Sequence, residues 1–258
     1  MGRIAPRGVT GVAGVAIAVQ GLRKHYGKVE AVRNVSFEVA RGTTMALLGG
    51  NGAGKTTTLS MLLGVLTPTA GTITVLGCDM LMRRYDVLPR MNFTSPYVDL
   101  PKRLTVRENL LVFADLYGLR DPHGRIDELA RQFDLVDLLA RAYGSLSAGQ
   151  RTRVSVAKAL LNEPEVLLLD EPTASLDPDM GDRVRTYLED YQRGSRCTML
   201  LASHNMGEVE RMCDEVIMLR AGVIVDQGAP EELVARYGRA DMEEVFLDIA
   251  RSEAQGSA

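Results

Sequence analysis

A glycine-rich segment that ends in lysine and threonine is the part of this chain best suited to chemistry. Residues 49–56 read GGNGAGKT and fit the pattern G-x-x-x-x-G-K-[ST], whose glycines let successive backbone N–H groups surround a phosphate. In such a loop Lys55 reaches the terminal phosphates, and the Thr56 hydroxyl is a ligand for Mg²⁺. The segment predicts a nucleotide-binding site formed by Gly49, Gly50, Asn51, Gly52, Ala53, Gly54, Lys55, Thr56 and Thr57.

The residues on either side of this loop favour a strand before it and a helix after it. Residues 44–48 (TMALL) form a short apolar run, and residues 57–63 (TTLSMLL) favour a helix. A phosphate would then lie at a helix N-terminus, where the helix dipole favours an anion. A glycine-rich turn without a ligand is the alternative, and each partner motif downstream disfavours it.

An acidic pair, Asp170 and Glu171, follows a second apolar run. Residues 166–169 (VLLL) are short enough for a buried parallel strand, and open α/β sheets bind ligands at the carboxyl ends of their strands. Asp170 would hold Mg²⁺ there, mostly through water. Glu171 would point beyond the γ-phosphate, where hydrolysis needs a general base or a group that positions water. A solvated turn before Pro172 is the alternative.

A third motif, LSAGQ at residues 146–150, precedes a helix predicted over residues 151–162. Ser147 and the Gly149 N–H would lie at the start of this helix and form a second anion site. Ser147 and Gln150 also satisfy the capping-box pattern, and a cap and an anion site are compatible. The motif resembles the signature of the ATP-binding cassette (ABC) family, usually written LSGGQ, and consists here of Leu146, Ser147, Ala148, Gly149 and Gln150.

The resemblance to the ABC family extends from about residue 17 to residue 249 and implies further roles. It implies that Tyr26 stacks on adenine and that His204 is the switch histidine, which contacts the γ-phosphate. It also implies that Glu171, His204 and Lys55 are the catalytic set. The loop that communicates between the two nucleotide sites would be Ser175, Leu176 and Asp177.

The chain departs from the family pattern between the phosphate loop and the signature. The family has a Gln at the end of the strand that lies between these two motifs, where it touches Mg²⁺ and the attacking water. Residues 90–100 of this chain contain no Gln. Pro96 takes that position in a gapless alignment, and Ser95 is the nearest group able to reach a metal-bound water. We expect Ser95 or water to substitute weakly, so that basal hydrolysis is slow until a partner docks.

The order of the strand and helix patterns predicts an α/β fold. It would be a P-loop NTPase core with a mixed or parallel sheet flanked by helices, an antiparallel β portion near the N-terminus and an inserted helical subdomain. The core is predicted over residues 14–88 and 165–228, and the helical signature subdomain over 89–164. A helical tail with a disordered end is expected over 229–258. That tail resembles single-domain cassettes that pair with a separate permease of the ABC-2 export type.

Composition narrows the classes of partner. The chain has 258 residues, is 46% hydrophobic and carries a net charge of −3, which argues against nucleic acid as the main partner. Its three cysteines lack metal-ligand spacing, which predicts reduced thiols. No apolar run approaches the roughly 20 residues that span a bilayer. With one phosphate loop and one signature, the chain is expected to share nucleotides with a second copy of itself or with a related cassette.

The resemblance therefore implies an ATPase subunit of an ABC transporter. It would bind ATP and Mg²⁺, work with an integral membrane permease, power export and lie peripherally on the cytoplasmic face of the cell membrane. A soluble ABC-type ATPase that acts as a regulatory switch is the alternative, disfavoured by the single cassette and the absence of long heptads. A phosphotransferase of the phosphate-loop class is a further alternative, but it does not explain residues 146–150.

Overall fold

The first of two sheets is antiparallel and contains the longest strands of the chain. The computed structural model describes residues 14–251. Strands β1 (Val15–Tyr26) and β2 (Val29–Ala40) form a hairpin, and β4 (Ala70–Val75) and β5 (Cys78–Asp79) complete the sheet in the order β2-β1-β4-β5. This sheet is the antiparallel portion that was expected near the N-terminus.

The second sheet is six-stranded and carries the site. It contains β3 (Thr44–Leu48), β6 (Met91–Thr94), β7 (Val166–Asp170), β8 (Thr198–Ala202), β9 (Glu215–Arg220) and β10 (Val223–Gly228). The strand order is β10-β9-β3-β8-β7-β6, and every neighbouring pair is parallel except β9 with β10. All residues of β3, β7 and β8 are buried, as their continuous apolar runs predict for central parallel strands. The predicted fold class is confirmed.

Helices cover the large sheet and extend from it. Thr105 and Ser147 each begin a helix with a capping box, in which the hydroxyl accepts a hydrogen bond from a backbone N–H three residues on. Within residues 14–251 the α-helices are α1 (Lys55–Leu62), α2 (Val106–Leu116), α3 (Pro122–Gln132), α4 (Ala148–Ala159), α5 (Pro178–Ser195), α6 (Met206–Met212), α7 (Pro230–Tyr237) and α8 (Met242–Arg251).

Strand β7 lies between two hydrophobic cores. Leu167 and Leu169 point into a core that they share with α2, α3, α4 and α5, whereas Val166 and Leu168 point into a core that they share with the antiparallel sheet. Because successive side chains of a strand point to opposite faces, four consecutive apolar residues are needed to bury both faces. The carboxyl end of this strand, where Asp170 lies, is therefore held from both sides.

The segment between β6 and β7 contains α2, α3 and α4, but its first residues belong to the sheet. Met91–Thr94 pairs with Val166–Leu169 along the whole of β6. The predicted start of the helical subdomain at residue 89 therefore differs from the structure, in which the helical part follows Thr94. The boundary differs because β6 belongs to the sheet through its pairing with β7, a contact between residues far apart in the sequence.

The C-terminal tail is helical over the residues that the structure describes. Helices α7 and α8 pack on each other and on α6, and α8 buries Met242, Val245 and Ile249. The disorder predicted beyond Arg251 lies outside the described residues. Among residues 14–251, no helix combines the length and the apolar character needed to cross a membrane.

Candidate active site

The glycine-rich loop connects β3 to α1, as its flanking sequence predicts. A Cβ on Gly49 would lie 2.4 Å from the carbonyl oxygen of Leu219 and 2.7 Å from the Cβ of Ala53, so no larger residue fits there. Gly54 immediately precedes α1 with a φ of +103°, a conformation that favours glycine. These two glycines let the loop turn back toward the first turn of α1, and a helix N-terminus favours an anion.

Lys55 is buried within this loop. Its Nζ donates hydrogen bonds to the carbonyl oxygens of Gly49 and, at 3.2 Å, Gly50. Burial lowers the pKa of Lys55, while the nearby carboxylates of Glu171 and Asp170 oppose that shift. The lysine thus stands between the phosphate loop and the acidic pair, as a cation for a phosphate should.

Asp170 ends β7 and meets the chain that leaves β6. The Oγ of Ser95 donates a 3.0 Å hydrogen bond to Oδ2 of Asp170. Burial raises the pKa of Asp170, and the Ser95 hydrogen bond and the charges of Lys55 and His204 counteract the rise. The two residues are adjacent because β6 and β7 are parallel neighbours and their carboxyl ends lie side by side.

Glu171 adopts a left-handed backbone conformation, with a φ of +50°. Its N–H donates a 2.8 Å hydrogen bond to the carbonyl oxygen of Ala202 at the end of β8, which anchors the turn. Non-glycine residues with positive φ are uncommon and often occur at functional sites, where surrounding contacts maintain them. Here the turn carries the carboxylate away from the strand and toward the cavity.

His204 lies beside Glu171. Its Nε2 is 3.2 Å from Glu171 Oε1, an ion-pair distance without hydrogen-bond alignment, and its backbone N–H donates to Oε2 at 3.4 Å. Burial raises the pKa of Glu171, the charge and N–H of His204 lower it, and the charges of Asp170 and Glu208 raise it further. A carboxylate with a raised pKa is a stronger base than an exposed one.

A single cavity of about 490 Å³ brings these groups together. The predicted residues Glu171, His204 and Asp170 line it, together with the loop from Gly50 to Thr57. Ser95 and Tyr26 do not line it. Tyr26 is half exposed at the end of β1, where Lys24 Nζ lies 5.4 Å from the centre of its ring.

Several residues that the sequence did not indicate also line the cavity. Tyr97 is 80% exposed, and its N–H donates a 3.4 Å hydrogen bond to Ser95 Oγ. The start of β2 contributes Val29, Glu30 and Arg33. Strand β2 reaches the cavity through its pairing with β1, and Tyr97 through the turn after Ser95, and no sequence motif marks either of them.

The signature residues form a separate surface at the start of α4. Ser147 is exposed, its Oγ accepts a hydrogen bond from the Gln150 N–H at 3.2 Å, and its own N–H donates to Gln150 Oε1 at 3.0 Å. A Cβ on Gly149 would lie 2.9 Å from the carbonyl oxygen of Ser175. The structure therefore joins the signature to the loop at Ser175, Leu176 and Asp177, and Asp177 caps α5 through the Met180 N–H at 3.0 Å. None of the signature residues lines the cavity at the phosphate loop.

The oxygen donors at the acidic end of the cavity suit Mg²⁺. Asp170 offers a buried carboxylate, and the hydroxyl of Ser95 is bound to it. Within residues 14–251 no cluster of three or more His, Cys, Asp or Glu side chains could hold a metal alone. Mg²⁺ is usually held by one or two carboxylates, waters and the substrate's phosphates, so a single aspartate fits this ion.

Comparison with known proteins agrees with the geometry. The family model described as ABC transporter matches residues 32–174. The ABC transporter ATP-binding protein NatA of Bacillus subtilis is 37% identical over 222 residues, which are 85% of this chain and 90% of NatA. The Nod factor export ATP-binding protein I of Ralstonia nicotianae is 39% identical over 241 residues, which are 90% of this chain and 73% of that protein.

A solved structure, described as an ATP-binding subunit of an ABC transporter, has the same fold. It is 26% identical, has a TM-score of 0.83, and the match covers 91% of this chain and 99% of that one. The matched family model covers the phosphate loop, the signature and the acidic pair, which are the motifs that the structure arranges around the cavity and α4. This chain therefore belongs to the ABC transporter family, as one of its ATP-binding and ATP-hydrolysing subunits.

Proposed function

We propose that the cavity binds ATP with Mg²⁺ and that Glu171 is the general base of hydrolysis. The observation that carries this proposal is the meeting of Lys55, Glu171 and His204 in one cavity beside a phosphate-binding loop. Lys55 contacts the terminal phosphates, and His204 contacts the γ-phosphate. The raised pKa of Glu171 supports its role, because a general base is most effective when its pKa approaches the working pH.

The metal ligands that we propose are Thr56 and Asp170, with Ser95 acting through the metal's water. When bound, Mg²⁺ would offset the negative charge of the phosphates. Ser95 reaches Asp170 in place of the family's glutamine, but its side chain is shorter and its hydroxyl is already engaged with Asp170. We therefore propose slow basal hydrolysis. Tyr26 is proposed to stack on adenine, since its ring is half exposed at the end of β1.

We further propose that two cassettes share each nucleotide. Ser147 presents an exposed, capped helix start, which supports an anion, yet it does not line the cavity of its own chain. A head-to-tail dimer would bring the phosphate loop of one copy to Ser147 of the other. The contact of Gly149 with Ser175 supports a role for Ser175, Leu176 and Asp177 in communication between the two sites.

The membrane partner that we propose is a separate permease, which would hold this chain at the cytoplasmic face of the membrane. An apolar groove of about 470 Å³ between α1, β6 and the end of α2 offers a docking surface. Three of its apolar residues are more than two-thirds exposed, namely Val65 (79%), Tyr85 (73%) and Leu116 (74%). Exposed apolar residues around a groove are typical of protein–protein contact sites. We also propose the segment over residues 97–104 and the helix that follows it, α2, as a docking surface for the permease.

Export is the direction that we propose, since a relative with 39% identity is a Nod factor export protein. Both relatives described above are transporter proteins by name, and the regulatory-switch alternative is therefore not favoured.

Light scattering of the purified Glu171→Gln protein with and without ATP tests the shared-site proposal. This substitution removes the base and keeps the shape of the side chain, so a closed dimer should accumulate only with ATP, while Lys55→Ala should stay monomeric. If Glu171→Gln binds ATP and remains monomeric, the shared-site proposal is wrong. If it turns over ATP like the wild type, the role given to Glu171 is wrong.

A further inference from the structure

Glu208 is a buried carboxylate that the proposed chemistry does not use. It lies in the first turn of α6 and is only 2% exposed. Among residues 14–251, no basic side chain forms an ion pair with it, and the donors to its carboxylate are hydroxyl groups. Placing a carboxylate in a protein interior is costly unless hydrogen bonds satisfy its oxygens. The groups that donate hydrogen bonds to Glu208 are therefore held in place.

The two donors to Glu208 come from the two loops that carry the proposed chemistry. Thr173 Oγ1 donates to Oε1 at 3.0 Å, and Ser203 Oγ donates to Oε2. Thr173 follows Glu171 by two residues, and Ser203 immediately precedes His204. Each loop thus contributes one hydroxyl to the same carboxylate, and each carboxylate oxygen has one donor.

Further hydrogen bonds fix the second loop to the same helix turn. The Asn205 N–H donates to Ser203 Oγ at 3.1 Å, and the Glu208 N–H donates to Asn205 Oδ1 at 3.2 Å. His204 lies between these anchored neighbours. Its backbone can shift relative to Glu171 only if the Ser203 contact or the Asn205 cap breaks.

We propose that Glu208 is a positioning residue, which clamps the Glu171 loop to the His204 loop through Thr173 and Ser203. The clamp keeps the imidazole and the carboxylate at their 3.2 Å separation while the side chains remain free to face the cavity. The proposal rests on the roles proposed above for Glu171 and His204. Small misplacement matters in such a site, since about 1 Å can cost about a hundredfold in rate.

The test is the steady-state ATPase kinetics of the full chain with one side of the clamp removed. Thr173→Val keeps the shape of the side chain and deletes its donor, while Thr173→Ser restores the hydroxyl. Glu208→Gln keeps the shape of the side chain and replaces one of its two acceptor oxygens with a donor. We expect Thr173→Val and Glu208→Gln to lower kcat about tenfold or more while KM for ATP stays within about twofold, and Thr173→Ser to recover most of the loss.

Thr198→Val is the matched control, because it deletes another buried threonine hydroxyl at the opposite end of β8. Thr198 Oγ1 accepts a hydrogen bond from the Gly42 N–H at 2.9 Å, far along the strand from the cavity. We expect this variant to change the melting temperature without a selective loss of kcat. If it lowers kcat as much as Thr173→Val does, loss of stability explains both results and the positioning role is wrong.

Unchanged kcat in both Thr173→Val and Glu208→Gln would overturn the clamp. A wild-type rate in Glu171→Gln would instead overturn the role of Glu171, and the clamp would fall with it. Either failure is recognised from its own variant, because Glu171→Gln leaves every hydrogen-bond partner of Glu208 unaltered.

Discussion

Lys158 predicts an unusual pH dependence of stability. It lies on α4 and is 6% exposed, and its Nζ donates to Asn92 Oδ1 at 3.1 Å and to the Phe93 carbonyl at 2.7 Å. The ring centres of Phe93 and Phe113 lie 4.6 and 5.6 Å from Lys158 Nζ. Among the ion pairs of residues 14–251, none includes Lys158. Burial lowers the pKa of Lys158 from 10.5 to about 8.

The sign of the effect follows from proton binding. Because the pKa is lower in the folded chain, the unfolded chain binds more protons between about pH 8 and pH 10.5, so stability rises with pH in that window. The shift of about 2.5 units corresponds to about 3 kcal/mol of destabilisation at lower pH, of which about 1.3 kcal/mol is recovered between pH 7 and pH 9. Buried thiols oppose this trend, because burial raises the pKa of Cys197 to about 12.

The contribution of Lys158 is isolated by comparing the free energy of unfolding of the wild type with that of a variant that lacks this lysine. We expect the free energy of unfolding of wild type, relative to Lys158→Met, to rise by about 1.3 kcal/mol from pH 7 to pH 9. Far-UV circular dichroism during urea unfolding measures it at each pH. The hydrogen bonds lost in Lys158→Met shift its stability by a constant and leave the slope unaffected. A difference in stability between wild type and Lys158→Met that does not change with pH would refute the argument.

Three further predictions concern the site and its surface. Gly49→Ala should abolish ATP binding in a fluorescent-nucleotide titration, because the added Cβ would lie 2.4 Å from a backbone oxygen. At Gly50 an added Cβ would meet nothing within 4 Å. Gly50→Ala should therefore still bind ATP and gain about 0.4–1 kcal/mol of stability. Ser95→Gln should raise basal ATPase activity, since the longer amide can extend toward the cavity that Ser95 itself does not line. Unchanged basal and partner-stimulated rates would contradict this. Leu116→Asp should lose co-purification with an integral membrane protein, while Val136→Asp, at an exposed apolar residue outside the groove, should retain it.

The sequence was sufficient to predict the structure where a functional motif lies within a local structural pattern. The phosphate loop lies between β3 and α1, and Asp170 ends β7, because short apolar runs bounded by glycine or acidic residues admit few other structures. The capping box at Ser147 is a local pattern over four residues, and the structure contains both of its hydrogen bonds.

The sequence was insufficient where the contact depends on strand pairing. Ser95 meets Asp170 across 75 positions, and that contact exists only because β6 and β7 are neighbours. The burial of Lys158 and Glu208 likewise contradicts their residue types, since isolated charged residues ordinarily face solvent. Tyr97 reaches the cavity through a turn whose geometry no periodicity describes.

The position of β6 at the edge of the large sheet allows this strand to transmit a force from the surface to the site. It is four residues long and hydrogen-bonded to a strand on one side only, that of β7. One face of β6 borders the apolar groove, and the chain just beyond it holds Asp170. A force applied at the groove would therefore reach the acidic end of the cavity through β6, whose carboxyl end lies beside that of β7.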